Sequence, residues 1–247
     1  IDDIGVKHQK DSRKEGSVRD YKYVENTVAH IQYGDESYIL TGTGMRNVFK
    51  SVLAFLLVNN LLSRELVFLT DGAQDIRSHI QSVFQFHPYM VILDWFHLKK
   101  RCQEWLSMAI RGKDRRNAIL EKALCYLWAG DVAGASEYLS SLDPADIKNR
   151  KWLDNLLGYF QKKGDAITCY ALRAKLGLRN SSNPVEKAND LVVAGRQKHN
   201  GMAWSPEGSG ALAALQMIYL NNQPDLWFHR KELYLFSPLL ENTKEAA

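Results

Sequence analysis

Three patterns in the sequence predict an α/β protein built on a mixed sheet. Segments with strand character follow one another at the start of the chain, helical and strand-like segments then alternate, and helical periodicity dominates from residue 95 onward. Antiparallel strands need only a turn between them, whereas parallel strands need a helical crossover. This order therefore predicts antiparallel strands first, parallel βαβ units next, and a helical region after them.

The N-terminal part is predicted to contain three strands. Ile1–Val6 has strand character, Asp11–Asp20 is a polar loop, and Tyr21–Tyr33 alternates between apolar and polar residues. Alternation of this kind is typical of a half-buried strand. Gly34-Asp35 is a hairpin signal, and Ser37–Thr41 is the expected return strand.

The following segments alternate between helix and strand. Asn47–Leu62 carries apolar residues at helical spacing, and residues 73–85 do the same. Leu66–Thr70 and Tyr89–Leu93 are short apolar runs of the kind found in doubly covered parallel strands. Several apolar helical faces follow between residues 95 and 176. Three antiparallel strands leading into βαβ units is the element order of an RNase H-like fold.

Charge is distributed unevenly along the chain. The net charge is +4, but residues 99–200 carry 19 Lys and Arg against 11 Asp and Glu, while the segments before and after are slightly acidic. A basic region beside an acidic one suits a polyanion-binding surface next to a carboxylate cluster, although solvated helix faces would explain it equally well.

Cysteine usage and hydropathy limit the classes of protein further. The three cysteines are dispersed, which argues against a disulfide framework or a zinc site and for a reducing cytosol. The longest apolar run, Val52–Val58, is too short to span a bilayer. The chain starts at Ile1 without methionine, and we expect it to be a fragment that lacks its natural N-terminus.

Acidic residues occupy positions where α/β proteins place their ligands. Asp71 ends the apolar run Leu66–Thr70 and is followed by Gly72, so it lies at the carboxyl end of a predicted parallel strand. Asp2 and Asp3 lie in the first strand, where acidic residues need a reason. Alternatively, Asp71 caps the following helix, and the N-terminal pair is a solvated chain end.

Two further acidic positions lie on predicted helices. Glu186 opens a helix in Asn183-Pro184-Val185-Glu186, which also reads as a capping box, and a glutamate in a first turn can still face a metal. Asp94 ends a predicted strand, and His97 lies one turn further on. Both could face the crevice of Asp71, but a lone histidine is more often packed and hydrogen-bonded.

With these residues in view, the chain resembles the RNase H-like DDE transposases of bacterial insertion sequences, in the branch related to the Mutator group. Four motifs carry the resemblance, over roughly residues 1 to 227: Asp2 to Lys7, Thr70-Asp71-Gly72-Ala73, Asp94-x-x-His97 and Asn183-x-x-Glu186. The stretches Leu176–Asp190 and Arg196–Trp204 also look like family hallmarks. Each motif is weak alone, and their joint order is more specific.

The resemblance implies catalytic and metal-binding roles for Asp2, Asp71 and Glu186, which would hold two Mg²⁺ ions, with Mn²⁺ as a substitute. Asp2 fits the family spacing better than Asp3; Asp3, Asp94 and His97 are accessory candidates. The implied partner is double-stranded DNA, at transposon ends and at the target, bound by a dimer or higher oligomer in the bacterial cytoplasm and nucleoid. Its expected contacts are Lys99, Lys100, Arg101, Arg111, Arg115, Arg116, Arg196, Lys198 and Trp204, although burial in the core also suits Trp204.

The resemblance also implies a domain organisation. We expect an RNase H-like core at residues 1–97 and 181–227, an all-helical insertion domain at residues 98–180, and a tail at residues 228–247. The missing N-terminal region would normally recognise the terminal repeats of the element. Two alternatives stay open: a catalytically silent, transposase-derived DNA-binding protein, and a helical interaction module whose acidic residues are helix caps.

Overall fold

The computed structural model describes residues 1–9, 23–199 and 201–230. The predicted loop at Asp11–Asp20, the first two residues of the predicted second strand and most of the predicted tail lie outside these residues. The chain is mixed α/β, as predicted. It divides into two compact units: unit 1 comprises residues 1–66, 74–88 and 183 onward, and unit 2 comprises residues 67–73 and 89–182.

Unit 1 contains a three-stranded antiparallel sheet. Its strands are β1 (Asp2–Lys7), β2 (Tyr23–Tyr33) and β3 (Glu36–Gly42), and β2 lies in the middle. The register pairs Asp2 with Val28 in β2, and Tyr33 with Glu36 across the hairpin. Gly34 has φ +57°, which glycine adopts readily, so the predicted hairpin is confirmed.

The helices of unit 1 come from separate parts of the chain. They are α1 (Met45–Val58), α2 (Gln74–Phe84), α8 (Asn183–Asn189), a π-helical segment (Asp190–Ala194), α9 (Gly195–Gln197), α10 (Pro206–Leu220) and α11 (Pro224–Arg230). The first helix ends four residues earlier than predicted. Asn60 is left-handed there (φ 54°), and the chain continues as a short 3₁₀ turn at Leu61–Ser63.

One core of unit 1 lies where the sheet meets the C-terminal helices. It combines apolar side chains of the first two strands with those of α8, the π-helical segment and α10: Ile4, Val6, Val24, Val28, Ala188, Val192, Val193, Ala194 and Ala213. Side chains alternate between the two faces of a strand. The face of β1 that carries Ile4 and Val6 is therefore the face that meets these helices.

Unit 2 pairs two strands with a helical bundle. The strands are β4 (Leu66–Thr70, of which Leu66 belongs to unit 1) and β5 (Tyr89–Leu93), both with the predicted bounds. The Asp94 amide donates to the Thr70 carbonyl at 2.7 Å. This bond places the carboxyl ends of the two strands side by side, as a parallel pair requires.

The helices of unit 2 are α3 (Trp95–Ala109), α4 (Lys113–Trp128), α5 (Val132–Ser140), α6 (Arg150–Lys163) and α7 (Tyr170–Lys175), with 3₁₀ turns at Pro144–Asp146 and Gly164–Ala166. Their core is large and apolar, and its bulkiest fully buried side chains include Tyr170, Phe160, Leu98 and Leu106. The three cysteines are free thiols, in agreement with the predicted lack of disulfides.

The described strands form two hydrogen-bonded groups, three strands in unit 1 and two in unit 2. An RNase H-like fold would join all five in one mixed sheet, so the finer fold class stays a prediction. Unit 2 contains β5 and all of β4 except Leu66 in addition to the helices, whereas the predicted insertion domain begins only at residue 98. No helix in the described part of the chain combines the length and hydropathy needed to cross a membrane.

Candidate active site

The Asp2 carboxylate lies on the helix-covered face of β1. Strand alternation places Asp2 on the same face as Ile4 and Val6, and the side chain is half-buried. Its Oδ1 accepts a hydrogen bond from the Asp3 amide at 2.9 Å. Its Oδ2 accepts a hydrogen bond from the Asn189 side-chain amide at 2.8 Å. Two donors therefore fix the orientation of this carboxylate.

Asp3 points to the opposite face of β1. Its Oδ1 accepts a short hydrogen bond from the hydroxyl of Thr27, its partner across the strand pair. Partial burial raises the pKa of the Asp3 carboxyl, and the Thr27 hydroxyl works against that shift. Asp2 is therefore the carboxylate that faces α8, whereas Asp3 is bonded within the sheet; the choice of Asp2 as first catalytic carboxylate stays a prediction.

Glu186 lies on α8, one helical turn before Asn189. The buried side of this helix is formed by Val185, Ala188 and Asn189, and Glu186 is exposed beside it. Residues three apart on a helix are neighbours on its surface, with Cβ atoms about 5–6 Å apart. Asn189 contacts Asp2, so the Asp2 carboxylate meets the helix that carries Glu186, and both carboxylates belong to unit 1.

Asp71 follows β4 in unit 2 and shapes a tight turn. Its Oδ1 accepts a hydrogen bond from the Ala73 amide at 2.7 Å, two residues further on, and α2 starts only at Gln74. The carboxylate therefore forms an Asx turn at the end of β4, before α2 begins. Gly72 has φ +88°, and a Cβ there would lie 2.8 Å from the Leu93 Cδ1. The turn thus requires glycine and leaves the Asp71 side chain exposed.

A half-buried tyrosine, Tyr159, lies close to this turn in unit 2. The Tyr159 hydroxyl would be 3.6 Å from a Cβ built on Gly72. Burial raises the pKa of Tyr159 to about 12; the Arg101 charge opposes the rise, and Cys102 and Asp71 add to it. Tyr159 therefore stays a neutral hydroxyl beside the Asp71 turn at any physiological pH.

Asp94 is a buried hydrogen-bond acceptor in unit 2. The residue is fully buried, and its Oδ1 accepts from the His97 amide at 2.8 Å, which caps α3. Its Oδ2 accepts from the Ser182 hydroxyl at 2.9 Å and from the Ser182 amide by a shorter bond. The His97 Nδ1 lies 3.2 Å from Oδ1. Both oxygens are thus committed to the protein, so the packed, hydrogen-bonded reading of Asp94-x-x-His97 fits better than the accessory-ligand reading.

The three predicted catalytic carboxylates suit magnesium in their chemistry. Mg²⁺ prefers hard oxygen ligands, and carboxylates supply them. Asp2 and Glu186 belong to unit 1, and Asp71 belongs to unit 2. Across residues 1–9, 23–199 and 201–230, no group of three or more His, Cys, Asp or Glu side chains is arranged to hold a metal ion.

The predicted DNA contacts at the start of α3 are exposed cations. Lys99 and Lys100 have no salt bridge to any described residue. Arg101 instead pairs with Glu104 at 3.6 Å, and its guanidinium lies 5.3 Å from the centroid of the Trp105 ring. The two lysines are therefore free to meet a phosphate, whereas Arg101 already has protein partners.

The second basic cluster of unit 2, Arg111, Arg115 and Arg116, also contains both a cation without an ion pair in the described part of the chain and cations that bind other side chains. Arg111 is exposed without an ion pair among the described residues. Arg115 binds Asp146, 31 residues away, through Nη2 at 2.7 Å and Nε at 2.8 Å. Arg116 donates to the side chain of Asn117 at 3.2 Å. Arg115 thus fastens α4 to the 3₁₀ turn that contains Asp146, a role that the sequence did not indicate.

The predicted contacts in unit 1 include both surface and core residues. Arg196 and Lys198 are exposed, but Gln197 between them is fully buried and bonded to Ser209. The Trp204 indole donates to the Gln197 carbonyl at 3.2 Å, and its ring packs against the core of unit 1. Trp204 thus has a structural role in unit 1, and its stacking on a base stays a prediction.

Two polar positions that the sequence interpretation missed lie next to the predicted residues. Ser182 donates twice to Asp94, and Asn189 donates to Asp2. The only sequence signal for Asn189 is an amide where the apolar face of Val185, Ala188 and Val192 calls for an apolar residue. Comparison with protein-family models, with curated proteins and with solved structures finds no match to this chain in any of the three.

Proposed function

We propose that the chain is the catalytic part of an RNase H-like DDE transposase, which cuts and joins double-stranded DNA at the ends of a mobile element. The observation that carries the proposal is the contact between Asp2 and α8. The Asp2 carboxylate accepts a hydrogen bond from Asn189, which lies on the same helix as Glu186, three residues further on. The resemblance predicts that the first carboxylate and this helix lie together.

In the proposed site, Asp2, Asp71 and Glu186 are the ligands of two Mg²⁺ ions. The ions would supply an activated water or DNA 3′-hydroxyl and a counter-charge for the leaving oxygen. The protein's own part is positional: two hydrogen bonds hold the Asp2 carboxylate, and the Asx turn at Gly72 holds Asp71 at a strand end. Glu186 lies in the first turn of α8, the helix whose Asn189 contacts Asp2.

DNA binding would come from the cations that lack protein partners. Lys99, Lys100 and Arg111 in unit 2, and Arg196 and Lys198 in unit 1, are exposed and have no ion pair with a described residue. Such side chains neutralise phosphates, and each contact releases counterions, so binding should weaken steeply with salt. A dimer or larger oligomer on DNA follows from the need to cut two element ends.

A second candidate is a DNA-binding protein of transposase origin that no longer catalyses. It is favoured by the finding that no trio of metal-binding side chains is assembled among the described residues. It keeps the basic surface and assigns only structural roles to the carboxylates. The two candidates differ in metal binding and in DNA cleavage.

The deciding experiment is calorimetric Mn²⁺ binding to the folded chain, followed by nicking of supercoiled plasmid DNA in Mn²⁺. The variants are Asp2→Asn, Asp71→Asn and Glu186→Gln. Glu207→Gln is the matched control for Glu186, because it is also an exposed glutamate in the first turn of a helix in unit 1. We expect each of the three site variants to abolish binding and nicking, and the control to retain both.

Two results would contradict the transposase proposal. A well-folded wild type that binds DNA but neither binds Mn²⁺, with or without that DNA, nor nicks it supports the silent DNA-binding protein. Binding and nicking that survive all three substitutions place the activity elsewhere. Circular dichroism of each variant separates a lost ligand from a lost fold.

A further inference from the structure

Asn189 is a buried amide with one satisfied and one unsatisfied end. The residue is 4% exposed. Its Nδ2 donates to Asp2 Oδ2 at 2.8 Å, whereas its Oδ1 has no hydrogen-bond donor within the described part of the chain. A buried acceptor without a partner is costly, and native proteins retain few of them.

The orientation of this amide follows from its neighbour. An amide can be turned by 180° so that its oxygen and nitrogen exchange places. Turning Asn189 would point its oxygen at the Asp2 carboxylate, where two acceptors would repel each other. The nitrogen must therefore face Asp2, which leaves the oxygen as an acceptor for another donor.

Packing alone does not account for an amide at this position. The neighbouring side chains on the buried side of α8 and the π-helical segment are Val185, Ala188, Val192 and Val193. A leucine of similar volume would satisfy such surroundings without leaving a polar atom unpaired. The Asp2 contact accounts for the nitrogen of Asn189, and its oxygen is available to a further donor.

The helix also changes its winding directly after Asn189. Asp190–Ala194 is π-helical, and the Gly195 amide donates to the Asp190 carbonyl five residues earlier. Single π-turns inside helices widen the helix locally and are frequent at functional sites. The winding changes directly after Asn189, the residue that contacts Asp2. The backbone therefore departs from regular α-helical geometry next to this amide.

We propose that Asn189 is the positioning residue of the Asp2 site: its Nδ2 holds the Asp2 carboxylate in place, and its Oδ1 accepts a hydrogen bond from a water molecule bound beside that carboxylate. The metal-related part of this role rests on the proposed function, because such a water would belong to the hydration shell of an ion held by Asp2. Partners that orient ligands in this way typically change metal affinity 10–100-fold when they are removed.

The first test needs no metal. In metal-free protein labelled with ¹⁵N, the Asn189 side-chain amide protons should be shifted downfield by the carboxylate and should show a cross-relaxation peak to water. Asp2→Asn should remove the downfield shift. Asn26 is the internal control, because it is also a fully buried amide of unit 1 but donates to Ser209 at 2.8 Å, and its resonances should stay in place. The proposal is overturned if Asp2→Asn leaves the chemical shifts of the Asn189 side-chain amide unchanged, or if these protons show no cross-relaxation with water.

The second test compares Mn²⁺ affinity in Asn189→Leu and Asn26→Leu. Both replace a buried amide of unit 1 by an apolar side chain of similar size, so both should lower the unfolding temperature. We expect only Asn189→Leu to weaken Mn²⁺ binding, by 10–100-fold. Equal Mn²⁺ affinity in Asn189→Leu and wild type overturns the metal-related role. If wild type binds no Mn²⁺, the proposed function is what fails, and the metal-free test decides the role of Asn189.

Discussion

Removal of the Asp94 carboxylate should destabilise unit 2 far more than the loss of an ordinary helix cap. Asp94→Ala removes the cap of α3, which is worth about 1 kcal/mol. It also leaves the Ser182 amide and hydroxyl without their acceptor in a buried position. Each unsatisfied buried donor costs about 1–3 kcal/mol. The expected loss in the free energy of unfolding is therefore about 3–7 kcal/mol.

The matched control is Asp131→Ala. Asp131 is exposed and caps α5 in the same unit by accepting from the Gly134 amide at 2.7 Å, without a distant partner. This variant should lose about 1 kcal/mol. Urea unfolding followed by far-ultraviolet circular dichroism measures both variants, and the difference between them isolates the contribution of Ser182. Equal losses in the two variants, or a loss below about 1 kcal/mol for Asp94→Ala, would refute this reasoning.

The same carboxylate predicts a pH dependence. Burial alone would raise the pKa of Asp94, but hydrogen bonds from the Ser182 amide, the His97 amide and the Ser182 hydroxyl lower it below its ordinary value. A carboxyl whose pKa is lower in the folded state stabilises the fold above its unfolded pKa of about 4, and that stabilisation is lost as the pH falls through the folded pKa. The stability difference between wild type and Asp94→Ala should therefore be constant near neutrality and shrink below about pH 4.

Three further predictions follow from local geometry. Gly72→Ala should lower the free energy of unfolding by about 1–3 kcal/mol, because the new Cβ would lie 2.8 Å from Leu93 and the backbone has a positive φ. Gly112→Ala, at φ +70° with open space around it, should lower it by only about 1 kcal/mol. Thermal unfolding measures both variants, and equal losses would argue against the clash. Ser209→Ala should cost about 2–4 kcal/mol, because two buried side-chain amides lose their partner, and a loss below about 1 kcal/mol would contradict that network. Lys100→Ala should lower the slope of log affinity for duplex DNA against log salt by about 1, whereas Arg115→Ala, whose guanidinium is held by a carboxylate, should change it less; the reverse order would remove Lys100 from the DNA surface.

The strands of unit 2 could be predicted residue by residue because their signal is local. Leu66–Thr70 and Tyr89–Leu93 are continuous apolar runs with polar residues or turn signals on both sides. The predicted cover on both faces was wrong in part, because Val67 and Met90 are exposed. The hairpin at Gly34 was predictable for a similar reason, because a tight turn with positive φ favours glycine. The end of α1 was not, since Asn60 ends it through a left-handed backbone conformation that competes with an otherwise helical pattern.

The partners of the candidate site residues could not be predicted, because they are distant in sequence. Asp94 meets Ser182 across 88 residues, and Asp2 meets Asn189 across 187. A serine or an asparagine carries no local signal for which carboxylate it will reach. The same holds for Arg115, which counts as a cation in the sequence but is neutralised by Asp146 in the fold. Sequence patterns identified the charged positions, but only the tertiary structure shows which of them are already bonded to other residues of the protein.

Asp94 and Asn189 differ in a way that separates structural from functional polar groups. Each is buried, and each bonds to a distant part of its own unit. Asp94 has donors on both oxygens, so its surroundings are complete without any ligand. Asn189 has a donor satisfied by Asp2 and an acceptor that no described residue satisfies. The oxygen of Asn26 is also unsatisfied among the described residues, but its nitrogen donates to a serine, so the contact with the Asp2 carboxylate is what points to a bound group at Asn189.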